Sequence, residues 1–208
     1  MNKKQSLFFF FLAGIFILSI LIKPYSLSWL VKLLPMITLV LFALHYKVEK
    51  IFIVGLVFSG FGDFFLDYDR VNWFIFGLGA FFIAHICYMV ALKPIEIKRM
   101  AIVTLYAAYG MVMFVLISGG LAELFVPVLA YMSILLLMAI TTLIAKKSNK
   151  CLIIGGISFV ISDSLIGINQ FYMAIPYAHL LIMISYYFAQ YTLLNGFIAG
   201  QQRFSKAL

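Results

Sequence analysis

Phe58-Ser-Gly-Phe-Gly-Asp-Phe-Phe-Leu-Asp67 places a carboxylate, Asp63, inside an apolar run. A similar run follows one hundred residues later, where Phe159-Val-Ile-Ser-Asp-Ser-Leu165 carries Asp163. An ionisable side chain within the hydrocarbon of a bilayer is costly, so its presence there indicates a functional role. The two runs together predict a membrane protein that works through a pair of carboxylates.

The composition of the whole chain supports this class. Of the 208 residues, 65% are hydrophobic and 11% are charged, and the mean hydropathy is +1.13. A water-soluble fold cannot hide that much apolar surface. A spanning helix needs roughly 20 mostly apolar residues, so eight helices account for nearly the whole chain. We therefore expect residues 1–208 to form a single transmembrane domain.

Apolar segments separated by short polar connections predict an all-α polytopic membrane bundle of eight transmembrane helices. Lys3 and Lys4 precede the first segment, but no small-residue cleavage site follows it, so we expect a helix and not a removed signal peptide. Proline and glycine mark several segment ends, such as Lys93-Pro94. The predicted helices cover residues 7–22, 29–44, 51–66, 72–92, 100–117, 123–145, 151–170 and 176–200.

Basic residues are concentrated in alternate connections. Of the 15 lysines and arginines, only Lys23, Lys32 and Arg70 fall on one side of the predicted bundle, and the rest fall on the other. Cytoplasmic loops carry the excess of positive charge. Both termini are therefore predicted to be cytoplasmic, with Asp63 and Asp163 in the outer half of the bilayer. The lysine-rich and phenylalanine-rich composition is typical of bacteria, which indicates the bacterial cytoplasmic membrane.

The remaining compositional features indicate few partners beyond the lipid bilayer. The net charge of +8 comes from basic residues that occur singly or in pairs at segment ends, so no nucleic-acid partner is predicted. Cys87 and Cys151 lie in or beside apolar segments without a CxxC pattern, and neither a disulfide nor a zinc site is expected. We predict no metal, no cofactor and no obligate protein partner.

Polar side chains on several predicted helices share faces that must be hidden from lipid. The i, i+3 pair of His85 and Tyr88 on the fourth helix is one example, and His179, Tyr186 and Gln190 form a stripe on the eighth. One polar pocket open toward the outer leaflet would bring these faces together with both aspartates and Lys32.

The offset of one hundred residues also indicates an internal repeat. Gly55 aligns with Gly155, Asp63 with Asp163, and Leu66 with Ile166. Two halves of four helices would have the same orientation, which defines a parallel repeat.

A series of short motifs runs in one order from the second predicted helix to the eighth. These motifs are Lys32-Leu-Leu-Pro35-Met36, Gly62-Asp63-x-x-Leu66, Phe76-Gly77, Phe81-Phe82-Ile-Ala-His85-x-x-Tyr88, Tyr131, Ser162-Asp163-Ser164, Asn169-x-Phe171 and Tyr186-Tyr187-x-Ala189-Gln190. As an ordered set they resemble the YhhN-like lysoplasmalogenase family. The resemblance implies an eight-helix membrane hydrolase acting on a lysophospholipid substrate. It would cleave the vinyl ether bond of lysoplasmalogens, releasing a fatty aldehyde and glycerophosphoethanolamine or glycerophosphocholine. One departure is Gln170, where a basic residue is expected.

A carboxylate pair fits this chemistry. A vinyl ether is hydrolysed when an acid protonates its β-carbon and water captures the oxocarbenium ion. Two carboxylates in a low-dielectric pocket can supply the acid and a nearby negative charge, as they do in glycosidases. We predict that Asp63 and Asp163 are catalytic, in either order, and that His85 relays a proton or orients a carboxylate. The predicted substrate-binding residues are Lys32, Tyr88, Tyr131, Ser162, Tyr186 and Gln190.

Other classes of function stay open at this point. A small proton-coupled transporter can use two carboxylates at matching positions of two halves. A metal-dependent lipid hydrolase is another alternative: His45 is predicted on the cytoplasmic side, but His85 and His179 with the two aspartates can still make a site. Each aspartate can also be structural and satisfied by Lys32 or a serine hydroxyl. Asp67 and Asp69 are expected in a solvated loop beside Arg70.

Overall fold

A computed structural model of the protein describes residues 1–96 and 100–206. Each of the eight predicted helices forms, and Lys98 and Arg99 of the predicted fourth connection lie outside the described residues. Short 3-10 turns follow the first helix and precede the sixth. The helices are α1 (Lys3–Ser19), α2 (Ser28–His45), α3 (Lys50–Tyr68), α4 (Phe74–Ala91), α5 (Met100–Ser118), α6 (Phe125–Ile144), α7 (Lys150–Phe171) and α8 (Ala178–Lys206).

Length and apolar character make six of the described segments candidates for membrane spans. They are Lys3–Ile22, Ser28–His45, Lys50–Tyr68, Phe74–Ala91, Ala122–Ile144 and Lys150–Phe171. Val103–Ser118 in α5 is apolar but shorter. The all-α class is thus confirmed for the described part of the chain, which is a multi-pass membrane protein. The count of eight spans and the cytoplasmic position of both termini stay predictions.

Several helix boundaries differ from the predicted ones, and the two largest differences have clear physical reasons. α1 begins four residues early because Asn2 and Gln5 form a capping box: the Asn2 side chain accepts from the Gln5 amide at 2.9 Å, and the Gln5 side chain accepts from the Asn2 amide at 3.1 Å. α8 extends to Lys206, beyond the predicted end at Gly200. Apolar length marks where lipid ends, whereas backbone hydrogen bonds continue the helix into polar sequence.

The chain divides into two compact units. The first, Met1–Ala91, contains α1 to α4, and the second, Leu92–Leu208, contains α5 to α8. In the first unit α2 packs on α1 and α3, and α3 packs on α4; in the second unit α7 packs on α5, α6 and α8. Four helices in each unit agree with the boundary that the predicted repeat requires. The repeat, and a single domain over residues 1–208, stay predictions.

Gly55 and Gly155 each face the next helix of their own unit. A Cβ atom on Gly55 of α3 would lie 2.6 Å from the ring of Tyr88 on α4. A Cβ atom on Gly155 of α7 would lie 2.8 Å from Cγ and 2.9 Å from the amide nitrogen of Leu193 on α8. Each glycine therefore permits the close approach of its helix to the following one.

Gly55→Ala is expected to lower the thermal unfolding midpoint of the detergent-solubilised protein. The added methyl group meets the fully buried Tyr88 ring, and such overpacking costs about 1–3 kcal/mol. Gly79→Ala on α4 is the matched control, because a Cβ atom there has no neighbour within 4 Å and alanine is the better helix former. Equal midpoints for the two variants would contradict tight packing at Gly55.

Candidate functional site

The predicted site residues Lys32 and Asp63 meet inside the first unit. The ammonium of Lys32, on α2, lies 3.2 Å from Oδ1 of Asp63, on α3, and donates to the backbone carbonyl of Asp63 at 3.2 Å. Lys32 is 4% exposed and Asp63 is 2% exposed. A buried charge persists only when it is paired and hydrogen-bonded. The ion pair with Lys32 therefore allows the Asp63 carboxylate to be buried inside the first unit.

A second carboxylate lies one helical turn further along α3. Asp67 forms an ion pair with Lys23, and Oδ2 of Asp67 accepts a hydrogen bond from the Ser28 hydroxyl at 2.5 Å. The Asp67 side chain is only 3% exposed. The expectation of a solvated loop is therefore wrong for Asp67, because Lys23 and Ser28 fold back over the end of α3.

The turn after α3 contains Asp69 and Arg70. Oδ1 of Asp69 accepts hydrogen bonds from the amides of Val71 and Asn72 at 3.0 and 3.1 Å, and the bonds to Asn72 hold the pKa of Asp69 below its usual value. These bonds are exposed, so the expectation of a surface position fits Asp69. The Asp69 carboxylate is thus committed to closing the turn.

All three basic residues of the sparsely charged side gather around Asp67. Burial lowers the pKa of the Lys23 ammonium, and the Asp67 carboxylate opposes that shift. Burial likewise lowers the pKa of the Arg70 guanidinium, again opposed by Asp67. Lys32 acts electrostatically on both Lys23 and Asp67. The first unit therefore contains a charged cluster near the C-terminal end of α3, formed by Lys23, Lys32, Asp63, Asp67 and Arg70.

His85 and Tyr88 on α4 are both fully buried. The Tyr88 hydroxyl lies 3.0 Å from the Ser59 hydroxyl on α3, and its ring packs against Phe52 with centroids 4.9 Å apart. The rings of His85 and Tyr88 are 6.4 Å apart. These contacts make Tyr88 part of the α3–α4 packing, and substrate binding by Tyr88 stays a prediction.

Asp163 on α7 has a partner in the second unit. The hydroxyl of Tyr131, on α6, donates a short hydrogen bond to Oδ2 of Asp163. The next residue, Ser164, shares a hydrogen bond of 2.6 Å with Tyr109 on α5. Tyr131 was predicted to bind substrate, but the structure places its hydroxyl on the carboxylate. This hydrogen bond orients the Asp163 carboxylate, and substrate binding by Tyr131 stays a prediction.

The other predicted residues of the second unit lie on α7 and α8. The Ser162 hydroxyl donates to the backbone carbonyl of Ile182 at 3.2 Å, and Nε2 of Gln190 donates to the Tyr186 hydroxyl at 3.3 Å. Ser162, Tyr186 and Gln190 are all buried. Their polar groups thus have partners inside the second unit.

The predicted site residues divide between the two units. Lys32, Asp63, His85 and Tyr88 lie in the first, and Tyr131, Ser162, Asp163, Tyr186 and Gln190 lie in the second. A common pocket stays a prediction. Among residues 1–96 and 100–206, no three histidine, cysteine, aspartate or glutamate side chains are grouped to hold a metal ion.

Sequence reasoning missed Lys23, Ser28 and Arg70 as neighbours of the site. The signal was present in the charge distribution, because Lys23 and Arg70 are two of the three basic residues on the sparsely charged side. Their isolation on that side indicates the orientation of the chain, but it does not indicate that both lie beside Asp67.

A family model described as the YhhN family matches residues 27–197. The chain belongs to the YhhN family. The matched region begins just before α2 and ends within α8, so it contains every predicted site residue. The resemblance that the ordered motifs indicated is therefore confirmed.

Curated relatives extend the YhhN assignment. The chain is 32% identical over 157 residues to a lysoplasmalogenase of Mycobacterium bovis, which covers 71% of this chain and 60% of the relative. It is 30% identical over 185 residues to lysoplasmalogenase TMEM86A of Homo sapiens, covering 81% of this chain and 77% of the relative. The chain thus spans about three fifths of the mycobacterial relative's length. No solved structure matches the chain.

Proposed function

We propose that this YhhN-family protein is a membrane hydrolase that cleaves the vinyl ether bond of lysoplasmalogens. The observation that carries the proposal is the alignment, over most of the chain, with relatives named lysoplasmalogenase. The aligned sequence folds into apolar helices that carry a buried carboxylate, Asp63, and a half-buried one, Asp163, an arrangement suited to acid catalysis on a lipid. The products are a fatty aldehyde and glycerophosphoethanolamine or glycerophosphocholine.

The reaction needs a proton donor and a counter-charge. A proton is added to the β-carbon of the vinyl ether, and the positive charge that develops on the α-carbon and ether oxygen is relieved when water adds to the α-carbon. The water loses a proton, and the resulting hemiacetal breaks its bond to the glycerol oxygen as its hydroxyl proton passes to that oxygen, which leaves an aldehyde and a free glycerol hydroxyl. Water and substrate are consumed and no redox partner is needed. Groups fixed in advance around the developing charge supply most of such a rate enhancement.

Asp63 and Asp163 divide these tasks in the proposed mechanism. Asp63 is the ionised member that stabilises the cation and accepts the proton of the attacking water, because the Lys32 ammonium 3.2 Å away allows a buried carboxylate to keep its charge. Asp163 delivers the proton to carbon, and the hydrogen bond from Tyr131 fixes its orientation. His85 on α4 orients or relays within the first unit.

The transporter alternative is not favoured. Its support was the occurrence of carboxylates at matching positions, and a hydrolase accounts for the same residues. The names of the aligned relatives point to hydrolysis. We therefore propose no transport function.

The test is aldehyde release from a lysoplasmalogen by purified protein in non-ionic detergent and heavy water. The β-carbon of the vinyl ether becomes the α-carbon of the aldehyde. Its protonation therefore places one solvent deuterium on that carbon, which mass spectrometry detects. In a control, authentic aldehyde is added at time zero, and the deuterium that it takes up measures exchange with solvent after release. The saturated 1-O-alkyl analogue is the substrate control and should stay intact, because it has no double bond to protonate. Aldehyde without deuterium, or none from folded protein, would contradict the proposal.

A further inference from the structure

An apolar groove runs along α2 and α3 in the first unit. Its volume is about 460 Å³, within the range of roughly 300–1,000 Å³ that is usual for small-molecule sites. Leu33, Ile37 and Leu41 on α2 and Val57 and Phe61 on α3 form much of its wall. Ile37, Leu41, Val57 and Phe61 are each at least 39% exposed. The groove is therefore accessible from the side of the unit.

One end of the groove reaches the charged cluster at Asp67. Phe64 and Phe65 line the groove, and they contact Trp29 and Trp73 with ring centroids 5.2 and 5.3 Å apart. Trp73 follows the turn that holds Arg70, since its amide donates to the Asp69 carbonyl at 3.0 Å. The walls of the groove thus continue directly into the cluster.

The cluster has more positive than negative charge. Lys23, Lys32 and Arg70 surround Asp63 and Asp67, which leaves a net charge of +1. Asp69 keeps its own negative charge in the exposed turn, but it is not among the charges that act on Lys23, Asp67 or Arg70. An anion entering the cluster would balance this excess charge.

Arg70 is the residue most available to an anion. Lys32 is committed to Asp63 and Lys23 to Asp67. The Nε atom of Arg70 is buried and has no hydrogen-bond partner within the described residues. A guanidinium group presents several donors in a planar fork that matches phosphate oxygens.

We propose that Arg70, supported by Lys23, binds the phosphate of a single-chain phospholipid whose hydrocarbon chain lies in the α2–α3 groove. The proposal rests on the lysoplasmalogen hydrolase function and assigns its headgroup site to the first unit. Asp63 belongs to the cluster, and on α3 it lies between Phe61 and Phe64 of the groove and one turn before Asp67. The bond nearest the glycerol would then be close to Asp63, between chain and phosphate. A basic residue at the position of Gln170 is not required by this arrangement.

The groove favours a lipid over free phosphate as the occupant. Inorganic phosphate would fill the charged cluster alone and leave the apolar walls unused. A single-chain lipid covers both, and the apolar area that it buries adds to its affinity. Soluble and lipid phosphates should therefore differ greatly in affinity.

The experiment uses fluorescence of the two tryptophans of the chain, Trp29 and Trp73, which both flank the proposed site. Purified full-length protein in non-ionic detergent is titrated with 1-O-alkyl-lysophosphatidylethanolamine, which lacks the vinyl ether and is not cleaved. Parallel titrations use 1-O-alkylglycerol, which lacks the phosphate, and inorganic phosphate. We expect the phospholipid to bind at least tenfold more tightly than either of the other two.

Arg70→Gln should weaken binding of the alkyl-lysophospholipid roughly tenfold or more, as expected for lost hydrogen bonds to a charged group. Binding of 1-O-alkylglycerol should not change. Lys50→Gln is the matched control, since it removes an exposed basic residue from the opposite end of α3. Arg70→Lys keeps the charge but loses the fork, so an intermediate affinity is expected.

Three results would overturn the proposal. The first is equal binding of the alkyl-lysophospholipid and the alkylglycerol by the wild-type protein, a comparison that needs no variant to fold. The second is inorganic phosphate binding as tightly as the lipid, which would make the cluster a free-phosphate site. The third is an equal effect of Arg70→Gln on both lipids. Because the ligand is not cleavable, lipid binding without aldehyde release would contradict the hydrolase function alone.

Discussion

Replacement of Asp63 by asparagine is expected to lower kcat for vinyl ether cleavage by about 10²–10⁴-fold, the usual contribution of a general acid or base. Asparagine keeps the shape of the side chain but removes the charge that Lys32 compensates and the site that accepts a proton. The rate of aldehyde release under saturating lysoplasmalogen measures the effect. Binding of the uncleavable alkyl-lysophospholipid should persist, because the loss concerns the reaction and not the affinity.

Two further variants separate chemistry from folding. Asp69→Asn changes a carboxylate in the turn after α3 that closes the turn and makes no contact with Lys32, so wild-type kcat is expected. Asp63→Glu keeps the ion pair with Lys32 in the buried site, but it moves the carboxylate by about one methylene, and a displacement of about 1 Å can cost roughly 10²-fold in rate. A folded Asp63→Asn protein with wild-type turnover would remove Asp63 from the mechanism.

Asp163→Asn is expected to reduce kcat over the same range of about 10²–10⁴-fold, and Tyr131→Phe by about ten- to hundredfold. The second value corresponds to the loss of one hydrogen bond to the negative charge that develops on Asp163 as it gives up its proton, about 1.5–3 kcal/mol. Because Tyr131 donates to Asp163, its removal should disorder the carboxylate and lower kcat with little change in KM. A pH–rate profile of Tyr131→Phe should also shift, since the Asp163 carboxyl group has lost a hydrogen-bond donor.

Tyr109→Phe is the matched control for Tyr131→Phe. Its hydroxyl also bonds to α7, but to Ser164, the residue next to Asp163, and Tyr109 is 39% exposed. We expect its kcat to be close to that of the wild type. An increase in KM for Tyr131→Phe at unchanged kcat would instead restore the role predicted from sequence, contact with the substrate.

The helices were largely predictable because one physical requirement defines them. A segment that crosses lipid must be apolar over a nearly fixed length and must satisfy its backbone internally, and both conditions can be read locally. The boundaries that were wrong depend on other chemistry. The capping box of Asn2 and Gln5 lies in polar sequence before the apolar run, and the last turns of α8 lie beyond its apolar part.

For the candidate site, the sequence predicts only which face of each helix carries the polar side chains. Helical spacing indicates that Asp63 and Asp67 share one face of α3, but it does not identify the partner across that face. Lys32 and Asp63 are 31 residues apart, and Lys23 and Asp67 are 44 apart. Such pairings depend on the rotation of each helix about its axis, which packing determines. The pairing of Tyr131 with Asp163 was missed for the same reason.

α1 shows how few positions hold a helix in place. Only Phe9, Ala13 and Phe16 are buried, and their i, i+4, i+7 spacing places them on one face. Six of the other side chains of α1 are exposed large apolar groups, and the matched family region begins only at residue 27. The packing of α1 against the first unit therefore depends mainly on three side chains, while the exposed apolar positions need only remain hydrophobic. That part of the chain is open to sequence drift.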